Sequence, residues 1–271
     1  MKKAIVISAS SDIGVALVRH WASLGWEICG TYRTDSPAVK EMRSHSNIHL
    51  FPCDLLNPES IKQATQQIIA SLCSWDIVVF AAGTLSPIGS FHSVNFQEWE
   101  DGIRANFLGS LSFLHALLPF RNNFSQTDPV VLFFAGGGTN HSVKNYSCYT
   151  ISKIALIKMV ELLDAEIPDT RFVIVGPGWV KTKIHEQTLQ AKEKAGDSLE
   201  KTKQRLNENQ FIPMESVVEC CHWLATTSSK GVGGRNISVT FDQWGTLELE
   251  KELEADADMY KLRRYKNSWR K

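Results

Sequence analysis

The sequence predicts an α/β fold: a doubly wound parallel sheet, covered by helices on both faces, in a single domain. Three observations carry this. Short continuous apolar runs recur and alternate with stretches of helical spacing, the pattern of strands buried on both faces. Clusters of small residues, at 81–83, 136–138 and 176–178, each follow such a run. Tyr149 and Lys153 open an apolar segment without Gly or Pro that runs to about Ala165 and reads as a helix.

Taken in order, Ala4 to Ile7 is a short β-rich run, and Ile13, Leu17, Trp21 and Leu24 follow at helical spacing. Trp26 to Tyr32 is a second strand and Ile48 to Cys53 a third, with a helix from about Pro37 between them. Pro58 to Leu72 is a helix with proline at its start. Asp76 to Phe80 is a buried strand, Phe96 to Leu118 one long helix, and Val130 to Phe134 another strand. After the Tyr149 helix, Arg171 to Val175 is a strand, Met214 to Ala225 a helix and Asn236 to Phe241 the last strand. A single domain is expected to span 1–245, with 246–271 as a C-terminal extension. The helix-favouring stretch 183–209 is expected to be a mobile, substrate-selecting excursion rather than a second domain.

Composition excludes several classes. At 271 residues, 43% apolar and 21% charged, the chain is ordinary for a soluble globular protein. Acidic and basic residues balance at 29 each, so neither nucleic acid nor an anionic membrane is expected as a partner. The six cysteines form no C-x-x-C pair and read as reduced, mostly buried thiols, with no metal site. Met1-Lys2-Lys3 leads into too short an apolar run for a signal peptide, and a cytoplasmic enzyme is expected. His141, His185 and His222 lack ligand spacing and read as surface or core residues.

The candidate chemistry begins with Tyr149 and Lys153. Residues four apart share a helix face, so a phenol and an ammonium meet there. The ammonium is expected to lower the phenol pKa, which suits acid/base work at a carbonyl or alcohol. Such a pair arises often by chance, so its weight rests on the rest of the chain. Between the first strand and helix lie Ser8, Ser10, Ser11, Asp12, Ile13 and Gly14, a turn of small residues that aims backbone N–H groups at an anion. Asn106 is unfavourable inside an apolar helix, which points to a role beyond polarity.

These motifs, in this order over about residues 3–242, resemble the compact single-domain branch of the short-chain dehydrogenase/reductase family, with its Rossmann-type fold. The resemblance implies a nicotinamide-dependent oxidoreductase passing hydride between the cofactor and a carbonyl or secondary alcohol. It makes Ser8 to Gly14 the cofactor-phosphate turn, and Asp54, with Leu55 beside it, the adenine contact. Ala81, Ala82 and Gly83 match the Asn-Asn-Ala-Gly cluster. Pro177 and Gly178, then Val180 and Thr182, match the segment holding the nicotinamide carboxamide. Asn106 matches the asparagine that kinks its helix around a relay water, and Tyr149 and Lys153 match the catalytic pair.

The sequence also departs from that family. Ser8 and Asp12 replace two glycines of the phosphate turn, and Gly136 stands where the family has its substrate-binding serine, thirteen residues before the tyrosine. Thr139, or backbone N–H groups of the glycine run, are then expected to polarise the substrate oxygen, in a roomier pocket suited to a sugar-like compound. A catalytically impaired nucleotide-binding sensor or scaffold is the alternative. At the end of the second strand, Tyr32 takes the acidic position of NAD-selective sites and Arg33 follows it, so NADP(H) is favoured over NAD(H). The Tyr149 helix, apolar nearly all round, predicts a homodimer or homotetramer.

Overall fold

Each strand sends alternate side chains into two apolar layers. In β1 (Lys3–Ile7), Ala4 and Val6 belong to one layer and Ile5 and Ile7 to the other, and all four are fully buried. The computed structural model describes residues 1–124 and 127–265.

From β1 the chain continues through α1 (Asp12–Ser23), β2 (Glu27–Tyr32), α2 (Pro37–Met42), β3 (Ile48–Pro52), α3 (Pro58–Leu72) and β4 (Ile77–Phe80). Next come α4 (Phe96–Ile103), α5 (Gly109–Leu117), β5 (Val130–Phe134), α6 (Ser147–Glu166) and β6 (Arg171–Gly176). The chain closes with α7 (Ile184–Ala191), α8 (Asp197–Asn207), α9 (Met214–Thr226), β7 (Asn236–Ser238) and α10 (Leu247–Ala255). All seven strands are parallel, in the order β3-β2-β1-β4-β5-β6-β7. The order reverses between β1 and β4, which opens a crevice at their carboxyl ends. α1, α2, α9 and α10 pack on one face, through residues such as Trp21, Met42, Leu224 and Leu253. α3, α5 and α6 pack on the other, through Ile68, Phe113 and Val160.

Two elements differ from expectation. The single helix expected over 96–118 is broken by a π turn at Arg104–Leu108, where the Gly109 N–H reaches back to the Arg104 carbonyl. Close packing holds the break: a Cβ on Gly109 would lie 2.4 Å from the Leu55 carbonyl oxygen. The last strand stops at Ser238 because the Asp242 carboxylate takes the Ser238 N–H at 2.6 Å and turns the chain away.

The helix-favouring excursion over 183–209 forms the helix pair α7 and α8. Ile184, Ala191, Ala195 and Leu199 pack there with Leu85, Tyr146 and Tyr149, and the buried Tyr146 hydroxyl donates to Thr188 Oγ1 at 3.0 Å. The extension beyond 245 folds back on the body. The buried Arg235 guanidinium donates to the carbonyls of Gly231, Leu253, Asp256 and Met259, stitching α10 and its sequel to the end of the sheet. Residues 266–271 of that extension lie outside the described residues.

Candidate active site

The crevice of about 1300 Å³ at the carboxyl edge is lined by every site residue expected from the sequence except Gly14. Gly14 acts from behind the wall, because a Cβ there would sit 2.5 Å from the Ser8 carbonyl oxygen. The phosphate turn keeps a glycine-like shape without the glycine. Ser8 stands at φ 65, in the left-handed region that glycine favours. It is held there by its N–H donating to Thr31 Oγ1 and its carbonyl accepting from Ser11 N–H, both at 3.0 Å. Ser11 caps α1, its Oγ accepting from Gly14 N–H. Asp12 ties this turn to the chain after β6, accepting from the Lys183 N–H at 2.6 Å and facing Lys183 Nζ at 3.6 Å.

At the end of β2, Arg33 is exposed on the crevice wall with no partner among the described residues. The neighbouring Tyr32 is engaged by a second arginine that sequence reasoning missed. The Arg43 guanidinium lies over the Tyr32 ring at 4.5 Å, bonds its hydroxyl and pairs with Asp35 at 3.5 Å. Asp54 caps a local turn, accepting from Leu56 N–H at 3.0 Å, while lining the crevice.

At the other end of the crevice, α6 presents Tyr149 and Lys153 together. Lys153 is 4% exposed, its Nζ 5.8 Å from the Tyr149 ring centroid and 3.4 Å from the Ala82 carbonyl oxygen, to which it donates. Burial pushes the Tyr149 phenol up to about 12 and the Lys153 ammonium down to about 8. The expected lowering of the phenol is therefore not seen here. Desolvation penalises phenolate and ammonium alike, and it outweighs their attraction at this separation.

Asn106 sits buried in the π turn. Its Oδ1 accepts from Thr84 N–H and its Nδ2 donates to the Thr84 carbonyl, each at 2.8 Å. The clamp uses one lone pair of Oδ1 and one N–H of Nδ2, which leaves each atom capacity for a further partner.

Gly136 was expected to give a ligand close access to backbone. The tyrosine takes that space instead: a Cβ on Gly136 would lie 2.7 Å from both Cε1 and Oη of Tyr149. Gly138 adopts φ 100 beside Thr150. Thr139 is half-buried and lines the crevice, its hydroxyl unpaired among the described residues.

The α7–α8 pair covers the crevice from above. Gln187 Oε1 accepts from Thr84 Oγ1 at 3.0 Å and from Leu85 N–H at 2.8 Å. His185 stacks on Trp179 at 4.0 Å, with the Arg205 guanidinium 5.5 Å from the Trp179 ring centroid. All three line the crevice, so His185 is neither a bland surface nor a core histidine. Its neighbour Val180 was legible, following the Gly176-Pro177-Gly178 turn, but the partners on α8 were not. Tyr260, Lys261, Leu262 and Arg263 of the extension line the crevice as well. Among the described residues, no group of three or more His, Cys, Asp or Glu could hold a metal ion.

A parallel sheet with this switch point, a turn of small residues capping α1 after β1 and a half-buried Tyr149 beside a buried Lys153 are the features of an NAD(P)-dependent oxidoreductase. The family model described as enoyl-(acyl carrier protein) reductase matches residues 7–241, and the chain belongs to the short-chain dehydrogenase/reductase family. It is 27% identical over 173 residues to a fatty acyl-CoA reductase of Acinetobacter baylyi, a match covering 61% of this chain and 57% of that enzyme's length. It is 25% identical over 266 residues to the short chain dehydrogenase pigC of Monascus ruber, covering 93% and 83% of the two chains. The solved actinorhodin polyketide ketoreductase with NADPH shares the fold, with a TM-score of 0.77 at 18% identity over 88% of this chain and 95% of that one.

The site fits a nicotinamide dinucleotide. Lys153 is a buried ammonium with one long hydrogen bond, and Arg33 is an unpaired cation at the far end of the same crevice.

Proposed function

We propose that the chain is an NADPH-preferring reductase of a ketone or aldehyde carried on a polar, sugar-like substrate. The observation that carries this is the Tyr149–Lys153 pair, its ammonium buried, lining the same crevice as the exposed Arg33. Bound nicotinamide supplies the hydride at its C4. Tyr149 donates the proton to the carbonyl oxygen, and Lys153 holds the ribose and offsets negative charge as it develops on the phenol oxygen. Burial pushes the phenol up to about 12, so Tyr149 carries at neutral pH the proton that reduction needs. Asn106 fixes the Thr84 backbone at the mouth of the pocket, and Thr139 offers a hydroxyl to the substrate oxygen. Ser8 to Ile13, packed against Gly14 behind them, face the cofactor phosphates, Asp54 and Leu55 the adenine, and Ala81 to Gly83, Pro177, Gly178, Val180 and Thr182 the nicotinamide half.

A spectrophotometric screen of carbonyl compounds with NADPH and NADH tests this. Tyr149→Phe is expected to abolish turnover while NADPH still binds. If nothing is reduced above the Tyr149→Phe background although NADPH binds, the chain is a nucleotide-binding sensor instead.

The same reading includes a homodimer or homotetramer. Ile151 and Leu162 on α6 are 48% and 44% exposed, and Leu108 on the π turn is 45% exposed, an apolar surface in want of a cover. A monomer by light scattering at micromolar concentration would sink this part. The six free thiols, five of them buried, support a reducing cytoplasmic location, which recovery from a secreted fraction would contradict.

A further inference from the structure

We infer that Gln187 is a substrate-binding residue, and that it selects a carbonyl compound bearing a hydroxyl group next to the reacting carbonyl. The inference rests on the reductase reading above and adds a substrate class to it.

The orientation of the Gln187 amide is fixed by its partners. Leu85 N–H can only donate, so the Gln187 atom 2.8 Å from it is the carbonyl oxygen Oε1. Thr84 Oγ1 adds a second hydrogen to the same oxygen at 3.0 Å. Nε2 must then point away from loop 84–85. It has no partner among the described residues, and Gln187 forms part of the crevice wall.

The frame behind this amide is rigid. Thr84 is clamped by both polar atoms of Asn106, and the next residue of α7, Thr188, is tied to the buried Tyr146 hydroxyl. Ile184, one turn earlier on α7, packs in the same cluster as the Tyr149 ring. A two-hydrogen donor is thus held in the wall of the crevice that also holds Tyr149, with its acceptor end already satisfied. Such a group can only donate, and an oxygen of an entering molecule can take the place of water on it.

The glycine at 136 gives this weight. With the family serine replaced and the Tyr149 ring filling its place, that wall of the pocket carries no side-chain donor at 136. Gln187 on α7 supplies one from another part of the crevice wall. The reacting oxygen goes to Tyr149, so the oxygen that meets Gln187 is a second one. A hydroxyl on the adjacent carbon fits because it accepts from Nε2 through its lone pairs.

Substrate pairs in which a methyl group replaces each hydroxyl beside the carbonyl test the inference: hydroxyacetone against butanone for one hydroxyl, and dihydroxyacetone against diethyl ketone for two. For the wild-type chain with NADPH, the hydroxylated member is expected to be favoured about tenfold in kcat/KM, the range of one hydrogen bond to a neutral group. In Gln187→Leu the ratio is expected to fall to near one. Loss of the latch to loop 84–85 would slow both members equally and leave the ratio alone, so the ratio separates a substrate contact from a structural role. A wild-type ratio near one, or a tenfold ratio that survives in Gln187→Leu, overturns the inference.

Saturation-transfer NMR of the same pairs with the NADP⁺-saturated chain reads the preference without turnover. Failure of the reductase reading, seen as no Tyr149-dependent reduction, is therefore distinguishable from failure of this one.

Discussion

Restoring the family serine at position 136 is expected to slow this enzyme. A Cβ on Gly136 would stand 2.7 Å from Tyr149 Cε1 and Oη and 2.8 Å from Cζ. Unstrained carbon contacts lie at about 3.5–4.0 Å, so the ring has to withdraw by about 1 Å. The phenol is the free end of its side chain and can swing into the crevice, so the fold loses little. The reacting oxygen is what moves. A misplacement of about 1 Å costs on the order of 10²-fold in rate. An added oxyanion donor, in a site shaped to receive it, would instead gain about 10²–10³. The two effects have opposite signs, which makes the experiment decisive. Steady-state kcat for Gly136→Ser and Gly136→Ala, with NADPH affinity from fluorescence titration, is the assay. Both variants are expected to lose about 10² in kcat while NADPH affinity changes by less than about twofold, since the alanine carries the clash without the hydroxyl. A Gly136→Ser variant about tenfold faster than wild type would refute the reasoning.

Three further outcomes are expected. Lys153→Met should stabilise the cofactor-free chain while abolishing turnover, because the folded state holds an ammonium whose pKa burial has pushed down to about 8. Against the ordinary lysine value of 10.5, that is a penalty of about 3 kcal/mol, fully present below pH 8 and relieved as pH rises toward 10.5, where the unfolded chain also loses its proton. Thermal scans should show a gain of about 6 °C at pH 7 that shrinks above pH 8, and a gain independent of pH would count against the assignment. Arg33→Ala should weaken NADPH binding at least about tenfold and leave NADH unchanged, removing a charge-assisted contact to the 2′-phosphate; an unchanged NADPH/NADH ratio by titration would contradict that role. Arg235→Ala should cost about 3 kcal/mol in urea unfolding and open residues 256–263 to limited proteolysis, because four carbonyls lose their donor; wild-type resistance to protease would show that the extension is held by other means.

Much of the scaffold was legible in the residues themselves. The continuous apolar runs at 4–7, 77–80 and 130–134 mark strands buried on both faces, since only a sheet covered by two helical layers hides every residue of such a run. The small residues after those strands mark the crevice, and the spacing of Tyr149 and Lys153 places both on one face of α6 because 3.6 residues make a turn. These are short-range regularities, set by backbone geometry, and a single chain displays them.

What the sequence left open depends on contacts between distant elements. Gly136 reads as a missing serine; only the approach of α6 to the end of β5 shows that the Tyr149 ring fills the space. Gln187 meets Thr84 and Leu85 across about a hundred residues, and Arg235 gathers the extension against the sheet, neither with any local periodicity to announce it. The sign of the Tyr149 shift is of the same kind. The i, i+4 spacing brought the ammonium near and suggested a lowered phenol, whereas the depth at which the fold buries both groups decided that desolvation prevails. Periodicity determined which elements form and which of their faces turn inward. Packing density, burial and the return of the chain upon itself decided what stands beside the reacting atoms, because those depend on the whole fold at once.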